Sequence, residues 1–346
     1  MTKRWKSTWT PVYEEGEIWY SDENALEYVE NQALKYFMEQ NNNQLKSTWY
    51  PVYEEPEVYF ASRQAKKYFI KEAVKYYKSL ENMNQLKCVG GIIGDIIGQR
   101  FEFRPKKSKD FQLYTVDSHY TDDTVMTCAV MDWLTNGGDL ANTFRKWGNN
   151  FPRAGYGTMF RNWLENDLMG AYDSFGNGSG MRVSPVGWAA QSIEECFEMA
   201  EASAMPTHNH PEGIKGAQAI ASSVFMARTG CTKEEIKEFI KEAFGYNLDR
   251  KLDDIRPKYH FEVSCQKSVP EAIICFLEGT SYEDTVRNAV SLGGDADTQA
   301  DMAGAIAEAF GYPVDSKLYN AFIASHLPDA MYHTISEFNQ KFIRND

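Results

Sequence analysis

The chain has 346 residues, with 36 Lys and Arg against 49 Asp and Glu, giving a net charge of −13 and a pI near 5.1. That length suits one large domain or two smaller ones with a sizeable core, and the acidic balance leaves no electrostatic footprint for nucleic acid or an anionic membrane. The amino terminus, Met1 to Trp9, lacks the apolar core of a secretion signal, and no run of about 18 apolar residues exists to span a membrane, so the protein reads as soluble and cytoplasmic.

The first 84 residues hold one glycine, Gly16, and neither Cys nor His, whereas the other 23 glycines follow residue 87. A domain boundary is therefore expected between Glu81 and Lys87, with an arm over 1–84 and a body over 88–346. Within the arm, Lys6-Ser-Thr-Trp-Thr-Pro-Val-Tyr-Glu-Glu recurs 40 residues later as Lys46-Ser-Thr-Trp-Tyr-Pro-Val-Tyr-Glu-Glu, an internal duplication with repeats at about 5–44 and 45–84. Each repeat opens on a β-rich stretch (Trp9 to Tyr20, Trp49 to Phe60). Helical spacing follows, at Ala25, Tyr28, Ala33 and Tyr36 and again at Ala65, Tyr68, Ala73 and Tyr76. The arm is thus a small α+β repeat region whose aromatic faces either pack internally or present a protein-binding surface.

From Cys88 onward, three-to-four spacing of apolar residues predicts helices over Asp123–Leu134, Ile193–Ala204, Gly213–Ala227, Lys233–Phe244, Pro270–Leu277, Ser281–Ser291 and Thr298–Phe310. Strand-like alternation is sparse, so the body is all-α. Its six cysteines form no C-x-x-C pair and read as reduced thiols.

Gly90, Gly94 and Gly98 fit neither G-x-G-x-x-G nor a P-loop; on a helix they make a smooth stripe that admits a close neighbour. Thr121-Asp122-Asp123-Thr124 and Asp295-Ala-Asp297-Thr298 each stand at a helix start, where one oxygen suffices as a cap. Two carboxylates so close repel each other, and a cation would reconcile them. Four Asp and two Thr form an all-oxygen set suited to Mg²⁺ or Mn²⁺. An EF-hand fails, because Ala300 and Ile306 stand where its Gly and Glu belong. Gly176-Asn177-Gly178-Ser179-Gly180 reads as a loop whose backbone N–H groups form an anion nest. Thr207-His208-Asn209-His210-Pro211 precedes a helix, and its histidines suit capping or substrate contact rather than zinc.

Taken together, Gly94-Asp95-x-x-Gly98-x-x-x-Glu102-Phe103, Tyr120-Thr-Asp-Asp-Thr124, Gly176-Asn-Gly-Ser-Gly-Met-Arg182, His208-x-His-Pro-Glu-Gly213 and Gly293-Gly-Asp-Ala-Asp-Thr-x-Ala300 resemble the ADP-ribosylglycohydrolase family, which includes the dinitrogenase reductase-activating glycohydrolases. The resemblance covers about 88–312, and the arm lies outside it. It implies an all-α orthogonal helix bundle with a two-magnesium centre that cleaves the glycosidic bond between ADP-ribose and an acceptor. Thr121, Asp122, Asp123, Asp295, Asp297 and Thr298 are then metal ligands; Ser174, Phe175, Gly176, Asn177 and Gly178 cradle the diphosphate and ribose, and His208 touches the substrate. Glu102 becomes the flap acid/base, and Asp122 or Asp297 orients the attacking water. Asp301 departs from the family pattern by adding a carboxylate near the site.

The expected function is Mg²⁺-dependent removal of ADP-ribose from a modified protein side chain, with arginine the first acceptor to test. The resemblance also offers an immunity protein that occludes a toxin through its N-terminal arm, or a hydrolase of a non-protein ADP-ribose conjugate.

Overall fold

The computed structural model describes residues 86–115, 117–324 and 327–343, with the backbone of three short strands nearer the amino terminus. The chain divides into two compact units, Met1–Gln85 with Tyr319–Ala324 and Leu86–Leu318 with Ser325–Asp346.

In the first unit, strands β1 (Trp5–Lys6), β2 (Ile18–Tyr20) and β3 (Tyr59–Phe60) form an antiparallel sheet in that order. The register pairs Ile18 with Phe60 and Trp19 with Tyr59. Tyr59 is the residue 40 positions after Trp19, so the matching strands of the two repeats pair across a local pseudo-dyad. The helical faces expected in the arm lie outside the described residues.

The second unit is helical: α1 (Gly90–Gly98), α2 (Asp122–Asn136), α3 (Leu140–Asn150), α4 (Thr158–Glu165), the turn α5 (Gly178–Met181), α6 (Ser184–Ala189), α7 (Ile193–Ala204), α8 (Pro211–Arg228), α9 (Lys233–Phe244), the turn α10 (Leu252–Ile255), α11 (Cys265–Glu278), α12 (Tyr282–Ser291), α13 (Ala296–Ala309), α14 (Ser316–Tyr319, its last residue counted in the first unit) and α15 (Asp329–Phe342). The expected helices are present with ends moved by a few residues. One start moved further: α11 begins at Cys265, so Pro270 lies inside the helix rather than at its first turn. An interior proline forfeits its own bond to the carbonyl four residues back and crowds that carbonyl, a cost that the surrounding packing offsets here. Pro270 and its flanks Val269 and Glu271 are buried. The stretch Gly178–Met181 is a helical turn rather than open loop, with Ser179 Oγ donating to Gly213 O at 2.7 Å on α8. No helix among the described residues is long and apolar enough to cross a membrane.

The centre of the unit is the pair α1 and α13, both buried along their whole length. A Cβ on Gly94 would lie 2.2 Å from Ala300 O, one on Gly98 2.4 Å from Ala296 O, and one on Gly90 2.6 Å from Gly304 O. The glycine stripe therefore lets backbone rest on backbone, at a helix-propensity cost of about 1 kcal/mol per glycine. Gly98 also abuts the Asp297 Cα, so the packing fixes where the chain leaves α1, four residues before Glu102, relative to the first turn of α13. All six cysteines are free thiols.

Candidate active site

Thr121 adopts extended backbone as the N-cap of α2, and its hydroxyl accepts from the Asp123 N–H at 3.2 Å. Behind it stands Asp95 of α1, fully buried. Asp95 accepts from Thr121 N (2.9 Å), Thr121 Oγ1 (2.8 Å), Thr124 N (3.2 Å) and Thr124 Oγ1 (2.5 Å). These bonds lock the first turn of α2 so that Asp122 and Asp123 face the interior cleft. Asp95 belongs to the Gly94-Asp95-x-x-Gly98 motif, whose spacing alone assigns it no role. Its signal was available: it is the one charged residue in the apolar run Val89–Gly98, and a buried carboxylate needs partners.

At the start of α13, Asp295 makes no side-chain cap. Its Oδ2 instead accepts from Asn177 Nδ2 at 2.7 Å, which ties it to the glycine-rich segment. Glu102, Asp295 and Asp297 each offer one carboxylate oxygen, and the three lie within 4.8 Å of one another. Burial, reinforced by Asp295, pushes the Glu102 carboxyl up to about 7, and burial with the Asp95 charge pushes Asp122 up to about 8. Asp123, Asp295 and Asp297 are also raised, chiefly by burial. Asp123 Oδ2 is buried with no hydrogen-bond partner. An all-oxygen set with mutually repelling carboxylates and an orphaned oxygen fits a hard divalent cation.

These groups line a cavity of about 560 Å³, within the range of small-molecule sites. Asp122, Asp123, Asp295, Asp297, Thr298 and Glu102 supply its acidic groups, and Ser174, Gly176, Asn177, Gly178 and His208 belong to the same lining, with Asn177 bonded directly to Asp295. Thr121 is buried behind the lining, its hydroxyl bonded to Asp95 and to the Asp123 N–H. Phe175 is not in the lining; its ring packs edge-on against His210 at 5.3 Å. Asp301 is likewise turned away, facing Gly91 in the contact between α1 and α13 with both carboxylate oxygens unpartnered. The added carboxylate expected near the site thus belongs to the helix interface, because its position on α13 puts it on the face toward α1.

The anion nest expected in the glycine-rich segment is partly engaged already. Gly176 N donates to Ser174 Oγ at 3.1 Å and Asn177 N to Val263 O at 2.7 Å. A second bond, Cys265 N to Phe175 O at 2.9 Å, completes the bridge that holds this segment against 263–265. A Cβ on Gly178 would sit 3.0 Å from His208 Nε2, so the missing side chain lets the imidazole reach the cavity wall. His208 Nδ1 pairs with Thr207 Oγ1 at 2.7 Å, and Arg182 donates to the same oxygen at 2.9 Å. Burial and the Arg182 charge hold the imidazole well below its usual range, and hence neutral. His210 caps α8 by accepting from Glu212 N, and His208 lines the cavity.

Sequence reasoning missed the lip. Phe103, next to Glu102, is 78 % exposed, and its ring packs at a tilt of 30°, centroids 5.7 Å apart, against Phe261 from the loop before α11. Both line the cavity with Val263 and Met159, all partly open to solvent.

Residues 87–311 match the family model described as ADP-ribosylglycohydrolase. ADP-ribosylhydrolase ARH3 of Mus musculus is 27% identical over 303 residues, covering 64% of this chain and 81% of that protein. ADP-ribosylarginine hydrolase Tri1 of Pseudomonas putida is 24% identical over 255 residues, covering 64% of this chain and 68% of its own length. In fold, the chain matches a solved structure titled "ADP-ribosylglycohydrolase-related protein complex" with a TM-score of 0.57 at 22% identity, over 74% of this chain and 96% of the other. With the matched segment spanning more than half of its length, the chain belongs to the ADP-ribosylglycohydrolase family of glycosidic-bond hydrolases.

Proposed function

We propose that the protein hydrolyses the bond between ADP-ribose and a modified protein side chain, arginine first among the acceptors, with the help of two Mg²⁺ ions that Mn²⁺ can replace. The observation that carries the reading is the convergence of Glu102, Asp295 and Asp297 within 4.8 Å inside a cavity of about 560 Å³. Similarity to an ADP-ribosylarginine hydrolase supports the choice of arginine.

Thr121, Asp122, Asp123, Asp295, Asp297 and Thr298 would hold the ions, with Glu102 beside them. When bound, the cations supply positive charge that orients the ribose hydroxyls and lowers the pKa of an attacking water.

The chain's own groups do the rest. Departure of the acceptor develops positive charge on the ribose ring, and the carboxylate wall stabilises that charge. Asp122 or Asp297 orients the water. Glu102, held near neutrality by burial, accepts its proton or donates one to the leaving nitrogen, as a group poised near the working pH does most efficiently. Ser174, Gly176, Asn177 and Gly178 receive the diphosphate and distal ribose, and neutral His208 offers a hydrogen bond without adding charge. Phe103 and Phe261 close over the bound ligand and keep bulk water from the carboxylates.

The test is ADP-ribose release from an ADP-ribosylarginine peptide by the full chain with Mg²⁺, with EDTA, and with Asp295→Ala. Release that requires the metal and disappears in the variant supports the reading. Failure on arginine combined with release from serine-linked or O-acetyl ADP-ribose reassigns the acceptor, and failure on all of them overturns the hydrolase.

A further inference from the structure

Lys107 stands five residues beyond Glu102 on the same loop. Its ammonium donates to three backbone carbonyls, those of Arg256 at 2.9 Å, Tyr259 at 2.5 Å and Leu292. Lysine has three donors and no acceptor, so the head group is fully used. The carbonyls come from two other segments of the cleft. The 256–263 segment supplies Phe261 and Val263 to the cavity wall, and Leu292 is the C-cap of α12, directly before Gly293-Gly294-Asp295. Arg256 is the C-cap of the turn α10. Both are helix-end positions where carbonyls lack helical partners and a cation is favoured.

The Lys107 stem adds a second grip. A Cβ on Gly293 would lie 3.0 Å from Lys107 Cε, and one on Gly294 would lie 2.3 Å from Tyr259 Cε1. The two glycines are thus flanked by the lysine methylenes and by the tyrosine ring. Tyr259 is itself tied down, its hydroxyl donating to Lys267 O at 2.9 Å and accepting from Gln299 Nε2 of α13 at 2.9 Å.

We infer that Lys107 is a positioning residue that joins the Glu102 loop, the 256–263 wall and the 292–295 loop into one body, so that Glu102 keeps its place beside Asp295 and Asp297. The inference rests on those three carboxylates forming one reacting centre. Neighbouring pins join these segments only in part: Arg256 Nε donates to Ser291 Oγ at 2.9 Å, which ties the 256–263 segment to the end of α12 without reaching the Glu102 loop. Lys109 pairs with Asp284, and Arg287 donates to the carbonyls of Lys109 and Phe111, which fastens the loop to α12 alone.

The experiment compares the full-length protein with Lys107→Met, Lys107→Arg and Lys109→Met by hydrogen–deuterium exchange in EDTA, then by Mn²⁺ titration followed by electron paramagnetic resonance, and finally by ADP-ribose release. Lys107→Met keeps the stem and removes the donors. It raises exchange at 99–106 and 292–297 together, by about tenfold or more, with the remaining helices unchanged. Mn²⁺ binding weakens roughly 10- to 100-fold, the scale expected when a supporting group of a metal site is lost. The kcat falls while binding of free ADP-ribose changes little. Lys107→Arg restores most of each property, and Lys109→Met loosens 106–112 alone.

Exchange at 292–297 that stays at the parent level in Lys107→Met overturns the inference. So does a general rise in exchange across the helices that Lys107→Arg fails to rescue, which marks a merely structural residue. Should the parent release no ADP-ribose from any substrate, the hydrolase reading falls, while the exchange pattern still judges the clamp.

Discussion

At the start of α2 the carboxylates follow a working cap: Thr121 takes the Asp123 N–H, and Asp95 reaches in from α1 to hold both threonines of the turn. At the start of α13 there is no side-chain cap, and Asp295 is restrained from outside by Asn177 and by the glycine pair before it. The first helix end carries its own cap, braced by Asp95 of α1, and its aspartates are free to face the cleft because threonine does the capping. The second spends its own capping position on the site, and its stability is borrowed from neighbouring segments. A cluster of acids at a helix start is therefore informative when the local capping need is already met by another residue, or is left unmet.

The largest test of this contrast removes one carboxylate from each end. Asp297→Ala and Asp122→Ala are each expected to lower ADP-ribose release by two to three orders of magnitude, the scale of losing a charge aimed at the transition state. Near-equal losses mean that the two ends serve one centre, and a large loss confined to α13 would detach α2 from the chemistry.

Smaller effects come from the supports. Asp95→Asn keeps the shape but leaves threonine donors facing an amide, and is expected to weaken Mn²⁺ binding and turnover roughly 10- to 100-fold. Asn177→Ala removes a single bond to Asp295 and should lie at the lower end of that range. Metal titrations that reverse this order would show that the α2 end is not the better braced.

The smallest effect is read in melting curves recorded in EDTA. Thr121→Ala loses a cap and the hydroxyl bond to buried Asp95, and is expected to destabilise the fold by about 2 kcal/mol. Asp295→Asn loses no cap. Burial raises the Asp295 carboxyl in the folded state, so the stability tied to this group is fully present below the ordinary carboxylate range and is lost as pH rises through the elevated folded value. Asp295→Asn should therefore flatten that part of the pH dependence and leave the protein relatively more stable at pH 7. A melting temperature for Asp295→Asn that falls with rising pH as steeply as the parent's contradicts the assignment.

Much of this was legible in advance. Helices with a regular apolar stripe, such as α7 and α9, were readable from spacing alone, and α9 carries a full capping box between Thr232 and Glu235. The shorter α3 and α4 were not read, although Leu140, Phe144, Trp147 and Gly148 in one and Phe160, Trp163 and Leu164 in the other keep helical spacing, because each stripe covers only two or three turns and one of its positions is a glycine or the helix end. The acidic ligand candidates were visible because adjacent carboxylates are costly without a reason. Asp95, the Phe103–Phe261 lip and Lys107 escaped because each acts through a partner far along the chain: Asp95 on Thr121, Phe103 on Phe261, Lys107 on Leu292. Sequence spacing reports neighbours on one helix face and is silent about contacts that the packing of separate segments creates. Asp301 shows the converse, since closeness to Asp297 in sequence did not mean closeness to the cavity.

The glycine stripe of α1 has a consequence for how the chemistry tolerates change. Side chains between two helices act as a soft gasket, and every substitution there resets the gap. Where carbonyl meets Cα directly, as at Gly94 and Gly98, the gap has no adjustable filler and works as a gauge block. The spacing between Glu102 and Asp297 is then insulated from drift in the surrounding core, and a single added methyl group on α1 is enough to reset it.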